Sequence, residues 1–389
     1  MTMTTQSMHG GNVAIVGASE TDRIGALPDV SMIHLHTNAA RRAIADAGID
    51  KSEIDGVATA GPTPIEVADQ LGIRPRWVDG TMIGGCSFMA LVRHAAAAIA
   101  SRAASVVLVT HGESGRSRVG VPGYGRAASS ISGQFEAPYG ALAPYSSFTT
   151  PVLAFMKARG FTREDLAEVV VSQRLWAIPN ERASRRDPID VEGVLAAAPI
   201  AYPFTKDMCC VVTDAGGALV VTSAERARDL PSADRAVYLL GSGEGTESVI
   251  VSQMDQLDSF GPFRRGAQEA FQTAGLSHDD IDHVMFYDAF AHLPLYMLED
   301  TGFVGKGESA AFFKEGHTRP GGDLPINTQG GGLSYTHSGM YGMFAIQEAV
   351  RQLRGEAVVQ VPDVKTSFVQ GVGMMFGAGG SLVLSNQRG

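Results

Sequence analysis

Two stretches of this chain match without a gap at an offset of 227 residues, and no other feature narrows its possible folds so far. They are AARRAIADAGIDKSEIDGVATAG (Ala39–Gly61) and GAQEAFQTAGLSHDDIDHVMFYD (Gly266–Asp288). Ala47-Gly48 aligns with Ala274-Gly275, Ile54-Asp55 with Ile281-Asp282, and Val57 with Val284. Each copy reads as an amphipathic helix ended by glycine, a short acidic turn and a buried strand. The first copy is followed by a glycine-rich turn, a helix from Cys86 to about Ser101, and the strand Ser105–Glu113. The second is followed by NTQGGGLSYTHSGMYG (Asn327–Gly342), a helix Met343–Leu353 and an apolar strand near Lys365–Val369. A shared order of this kind predicts two α/β halves related by a pseudo-twofold axis. The expected halves are residues 1–235 and 236–389, with an insertion at about 115–205.

The insertion, Gly115–Thr205, is rich in Gly, Ser, Pro and Tyr and holds a predicted helix after Thr162. Such a segment shapes a substrate pocket or forms a dimerisation surface. Beyond it, CCVVTDAGGALVVTSAERA (Cys209–Ala227) reads as an apolar strand pair broken by a polar turn. The first residues, MTMTTQSMHGGN, lack the charged and apolar regions of a signal peptide and read as a short arm. Net charge is −10 with no basic tract, which argues against a nucleic-acid partner. No apolar run reaches the length of a membrane span. The three cysteines, Cys86, Cys209 and Cys210, form neither a disulfide framework nor a zinc pattern. A reducing, cytoplasmic setting without a structural metal follows as the expectation.

Candidate chemistry gathers at the repeat-related turns. Cys86 precedes an alanine-rich helix, where unpaired N–H groups and the dipole favour a thiolate or an oxyanion. A small residue buried in the core is the alternative. His337 lies in YTHSGMYG, flanked by Tyr335 and Tyr341, each a proton donor or an aromatic wall. The pseudo-twofold axis would bring both helix starts to one central site. Tyr287, Asp288 and Phe290 follow the second buried strand, at the strand end where α/β sites gather. Tyr296 lies on the helical run beyond them and faces either the site or the core. VQGVGMMFGAGGS (Val369–Ser381) either supplies oxyanion donors through Gly371 and Gly373 or forms a plain hairpin. Arg116, Arg118 and Arg126 are weak candidates for phosphate contacts, and the GYG, PYG and PYSSF segments for an aromatic pocket.

The duplicated halves, GGCSF before a helix, DMCCVVTDAGGALVV, YDAFA, NTQGGGLSYTHSGMYG and the late QGVG together resemble the thiolase superfamily. The nearest branch is that of the sterol carrier protein X-type thiolases, often labelled acetyl-CoA acetyltransferases. The resemblance covers the chain from about Asn12. It implies a duplicated, five-layered αβαβα fold with a loop-domain insertion, a homodimer, and coenzyme A as substrate or cosubstrate with no bound cofactor. It also implies making or breaking a carbon–carbon bond beside a carbonyl. In thiolases a cysteine at a helix N-terminus takes the acyl group, a histidine activates it, and a second cysteine moves the proton. His337 matches that histidine and Asp288 replaces the glutamate of the Glu-Ala-Phe segment. Gln370 stands at the second cysteine, so that role is vacant. Counted back without gaps from Ser105–Glu113, the nucleophile position falls on Gly85, one residue before Cys86.

Three functions follow as expectations. The first is acyl transfer or thiolytic cleavage of a 3-oxoacyl-CoA through Cys86 and His337. The second is retro-aldol cleavage of a β-hydroxyacyl-CoA, as in the steroid side-chain aldolases of this branch. Those enzymes resemble this chain in GMYG, use tyrosines for proton transfer, and work with a small partner carrying an OB fold and a zinc ribbon. Tyr341, Tyr296 and Tyr287 are the candidates for that transfer here. The third is an acyl-CoA or lipid-binding subunit without chemistry.

Overall fold

The repeat reappears in the computed structural model as two matched runs of structure; residues 7–120, 127–142 and 144–389 are described. The first run is strand β1 (Val13–Glu20), helix α1 (Met32–Ala47), β2 (Gly56–Thr59), α2 (Pro64–Leu71), β3 (Trp77–Gly80), α3 (Ser87–Ala100) and β4 (Val106–Ser114). The insertion follows, with α4 (Ile131–Phe135), α5 (Pro144–Arg159), α6 (Arg163–Ala177), α7 (Val191–Ala196) and the small hairpin β5 (Pro199–Ala201) and β6 (Phe204–Thr205). β7 (Asp214–Ser223) and α8 (Ala224–Ala227) complete that run. The second contains β8 (Val237–Thr246), α9 (Gly261–Ala274), β9 (His283–Phe286), α10 (Leu293–Asp300), α11 (Ser309–Lys314) and α12 (Gly331–Ser334). It closes with α13 (Gly342–Arg354), β10 (Thr366–Gly373) and β11 (Ala378–Ser385).

The matched sequence positions do matched work. α1 ends on Gly48 and α9 on Gly275, both left-handed, with φ of 69° and 68°. Asp55 accepts the backbone N–H groups of Ser105 and Val106 at 2.8 and 2.9 Å, where β4 begins. Its mate Asp282 accepts those of Lys365 and Thr366 at the same two distances, where β10 begins. One carboxylate in each half thus satisfies the donors at the start of the strand that follows the inner helix.

The strand order is β3-β2-β4-β7-β1-β8-β11-β10-β9, nearly the same read from either edge. Ile326, bridged in parallel to Val284, stands where β3 stands in the other half. Within the sheet, the strands of the two halves pair at Ala14 with Tyr238 and at Ile15 with Val237. α1 covers the outer face of the first half-sheet and α9 that of the second, while α3 and α13 each pack against strands of both halves. The result is five layers, α-β-α-β-α, with the two inner helices in the middle. Their burial explains the near-continuous apolar face of α3, where Phe88 to Val92 are all below 3% exposed.

Two expectations change. Cys209–Ala227 holds one sheet strand, β7 (Asp214–Ser223), and not a strand pair. Residues 210–213 leave the sheet because their N–H groups bond to loop carbonyls: Cys210 to Ala289, Val211 to Gly332 and Thr213 to His337. The start of the chain is also more than an arm. Gly10 and Gly11 donate to Leu240 and Leu239, and the buried His9 ring meets the Ser242 hydroxyl at 2.7 Å. No helix among the described residues is long and apolar enough to cross a membrane.

Candidate active site

The starts of α3 and α13 meet in the middle layer. A one-turn 3₁₀ segment, Gly84–Cys86, leads into α3, and Gly342 opens α13 against the Gly85 carbonyl with no room for a Cβ. Two helix N-termini therefore point their free N–H groups toward one region, a setting that favours a developing oxyanion.

Tyr287 reaches this junction from the end of β9, where its N–H donates to the Gln370 carbonyl at 2.9 Å. A Cβ at Gly85 would fall inside the Tyr287 ring and 2.7 Å from its hydroxyl oxygen. The phenol thus occupies the volume that any side chain at position 85 would need. Its hydroxyl lies 2.9 Å from His337 Nε2. The Gly339 N–H donates to the other ring nitrogen, Nδ1, at 3.2 Å. That bond assigns the ring proton to Nε2, which donates to Tyr287 Oη and leaves the phenolic proton for a third partner. Burial lowers the His337 pKa to about 4, so the ring is neutral at pH 7. Burial also raises the Tyr287 phenol well above its ordinary value, with nearby Cys210 adding to the effect. The pair is a neutral donor chain that can surrender one proton.

Tyr341 is the residue preceding α13, fully buried, with its ring edge-on to Tyr287 at 5.7 Å and its hydroxyl accepting from Gln329 Nε2 at 2.8 Å. Asp288 sits one residue past Tyr287 and accepts the N–H groups of Gly332 and Leu333 at 2.6 and 3.2 Å. It holds the α12 turn that leads to His337. Burial outweighs those bonds and pushes its carboxyl up to about 7. His111 Nε2, 2.8 Å from the Ser338 hydroxyl, steadies the same turn from β4.

The other candidates are engaged outside the Tyr287–His337 hydrogen bond, although Cys86 is near enough to Tyr287 to contribute to its raised pKa. Cys86 is fully buried, its thiol points to the Ile83 carbonyl at 3.5 Å, and burial pushes its pKa up to about 12. Gly371 and Gly373 face Cys86 and Ile83 from within the β10–β11 ladder. The late glycine motif is therefore a hairpin. The Gln370 amide is engaged in it, donating to Gly371 O and accepting from Ser381. Tyr296 stacks on Phe155 at 3.9 Å and its hydroxyl meets the Pro151 and Leu257 carbonyls, each at 2.7 Å. Phe290 packs on Phe148 and Phe204, both at 5.1 Å. These rings link the insertion to the α10 side of the core. The Arg116 backbone N–H bonds Asp214 at 2.8 Å and its guanidinium lies 3.5 Å from the Val212 carbonyl. Arg118 lies close enough to Glu113 to draw its pKa down. Arg126 and the GYG segment, 123–125, lie outside the described residues.

Glu113 was not singled out from the sequence. It lies one residue before the end of β4, with its carboxyl against the Cα of Gly339, beside the His337 turn. Its position at the carboxyl end of a repeat-matched strand was the available signal.

Comparison with known proteins places the chain in a family. A family described as thiolase C-terminal domain-like matches residues 243–386. A 17-hydroxy-3-oxo-4-pregnene-20-carboxyl-CoA lyase of Mycobacterium tuberculosis is 32% identical over 92% of this chain and 95% of its own. An acetyl-CoA acetyltransferase of Methanothermobacter thermautotrophicus is 31% identical over 89% of this chain and 92% of its own. Among solved structures, an Ltp2-ChsH2(DUF35) aldolase superposes with a TM-score of 0.89 at 30% identity, covering 97% of this chain and 98% of that one. The chain belongs to the thiolase superfamily, in the branch shared by sterol carrier protein X-type thiolases, acetyl-CoA acetyltransferases and steroid side-chain aldolases.

Proposed function

We propose that this chain is a retro-aldolase that cleaves a β-hydroxyacyl-CoA thioester into a ketone and a shorter acyl-CoA. The observation that carries the reading is the Tyr287 phenol, hydrogen-bonded to His337 and filling the space of a side chain at Gly85. A thiol at that position has no room, and the neighbouring Cys86 thiol is buried and protonated at neutral pH. Acyl transfer needs an accessible thiolate, so this geometry supports it less. A binding subunit without chemistry would have no use for a neutral His–Tyr donor chain in the core. The lyase and aldolase names among the relatives support the same reading.

In the reaction a base removes the β-hydroxyl proton, the carbonyl forms and the Cα–Cβ bond breaks. Electrons pass into the thioester, whose enolate oxygen meets N–H donors at the helix junction. Tyr287 Oη then protonates Cα, and His337 Nε2–H stabilises the phenolate left behind. Tyr341 walls the same space from the α13 start. The substrate class is a tertiary β-hydroxyacyl-CoA of steroid type, as in the lyase relative's name. A homodimer assisted by a small OB-fold and zinc-ribbon protein is the proposed assembly, after the aldolase complex.

The test offers the protein, with that small partner added, either a tertiary β-hydroxyacyl-CoA or a 3-oxoacyl-CoA plus CoA. Ketone and shortened acyl-CoA are expected from the first, with iodoacetamide leaving the rate unchanged. Thiolysis of the second that iodoacetamide at Cys86 abolishes would replace this reading with acyl transfer.

A further inference from the structure

The retro-aldol step needs two proton handlers, and the Tyr287–His337 pair accounts for one. The other must be an acceptor beside the His337 turn, ionisable near neutral pH and with an oxygen that takes no hydrogen bond in the free enzyme. Glu113 meets these conditions. Its carboxyl rests on the Cα of Gly339, whose φ of 131° and lack of a Cβ both require glycine, since a Cβ there would fall on the carboxylate. The same Gly339 donates the N–H that sets the His337 tautomer. Glu113 and the donor chain therefore meet at one residue. Glu113 Oε2 is buried and has no hydrogen-bond partner among the described residues. A buried acceptor left in that state is costly, and a bound hydroxyl would satisfy it.

The groups around it fix its behaviour. Burial pushes the carboxyl up to about 7, against the pull of Arg118 from the loop after β4. The Glu113 charge is among the smaller causes that raise the Tyr287 phenol at the end of β9, after burial and Cys210. His337, behind Gly339, is neutral and adds no charge. Asp214 of the paired strand turns its carboxylate to the N–H groups of Leu27, Arg116 and Ser117. A carboxylate near 7 beside a phenol well above 10 is the separation that divides base from acid.

We infer that Glu113 is the general base of the cleavage, with Oε2 accepting the proton of the substrate's β-hydroxyl. The inference rests on the retro-aldolase reading. The O–H bond breaks and its proton goes to Glu113; the O–H electron pair forms the ketone C=O. The Cα–Cβ pair becomes the thioester enolate, which takes the Tyr287 proton at Cα. As products leave, the carboxylic acid and the phenolate exchange one proton through solvent, so the cycle neither consumes nor releases any.

The test compares Glu113→Gln and Glu113→Ala with the unaltered protein on the same β-hydroxyacyl-CoA. The unaltered protein should show kcat/KM rising with pH through an apparent pKa of about 7, as the carboxyl ionises. Glu113→Gln should lose that limb and fall by about 10²–10⁴-fold. It should still bind a β-deoxy acyl-CoA, which has no hydroxyl to offer, with unchanged affinity. Formate should restore part of the rate to Glu113→Ala, where it can enter the vacated space. Retention of rate and pH limb in Glu113→Gln would overturn Glu113 as the base while leaving the aldolase intact. Loss of deoxy-ligand binding together with rate, and no rescue by formate, would overturn it in favour of a structural role. A protein that thiolyses 3-oxoacyl-CoA and leaves β-hydroxyacyl-CoA untouched would remove the underlying reading instead.

Discussion

The starts of α3 and α13 are mates in a duplicated fold, yet they have gone separate ways. At α13 the preceding segment delivers His337 and Tyr341 to the helix junction. At α3 the corresponding turn contributes only backbone: Gly85 has no side chain and the Cys86 thiol faces the β10–β11 hairpin. Cys86 and Tyr341 occupy the same place, each immediately preceding its helix and neither capping it with a side-chain bond. The difference lies in what fills the space between the turns. Tyr287, from the second half, reaches across and takes the volume belonging to the first. Duplication thus preserves the geometry of the two helix starts while the buried polar side chains gather on one of them.

The comparison breaks most sharply at the phenol. Tyr287→Phe should lower the aldol-cleavage kcat by about 10²–10⁴-fold, because it deletes the donated proton and leaves the ring in place. A rate within a few-fold of the parent would return the chemistry to the α3 side. Next comes Gly85→Ala, whose Cβ must displace the Tyr287 ring. It should cost about 1–3 kcal/mol of stability by overpacking. The shift of the phenol should reduce kcat by about 10²-fold, measured by denaturation and steady-state assay. An unaltered rate would show that the ring does not need to lie against position 85. The smallest effect is expected from Cys86→Ala, with kcat nearly unchanged and stability lower by about 1 kcal/mol. Iodoacetamide should likewise leave Cys86 unmodified at pH 7.5, since its thiol is buried and protonated. Loss of turnover in Cys86→Ala would make the two turns chemical equals again.

Much of this is legible in the amino-acid sequence. The 227-residue repeat implies two matched halves because its matched residues act locally. Gly48 and Gly275 end helices, and Asp55 and Asp282 satisfy the first donors of strands. The glycine-rich turn around His337 is readable for the same reason, since a backbone that costly in entropy marks a site. Tyr296 misleads because helical spacing places it on a buried face without saying what lies opposite; there it meets Phe155 and two carbonyls. Cys209 to Thr213 mislead because apolar residues that bond to loop carbonyls look like a strand.

The sequence by itself determined the repeat and its two α/β halves, because these rest on periodicity, caps and short-range partners, and its motifs in order carried the resemblance that implied the five layers and the family. It also located the junction of the two helix starts. Only the tertiary structure decided what stands in that junction. Gly85 and Tyr287 are far apart along the chain, as are Glu113 and Gly339, and each pair is joined by a missing Cβ that leaves room for the other's side chain. Complementarity of that kind exists between surfaces, and no local pattern encodes it.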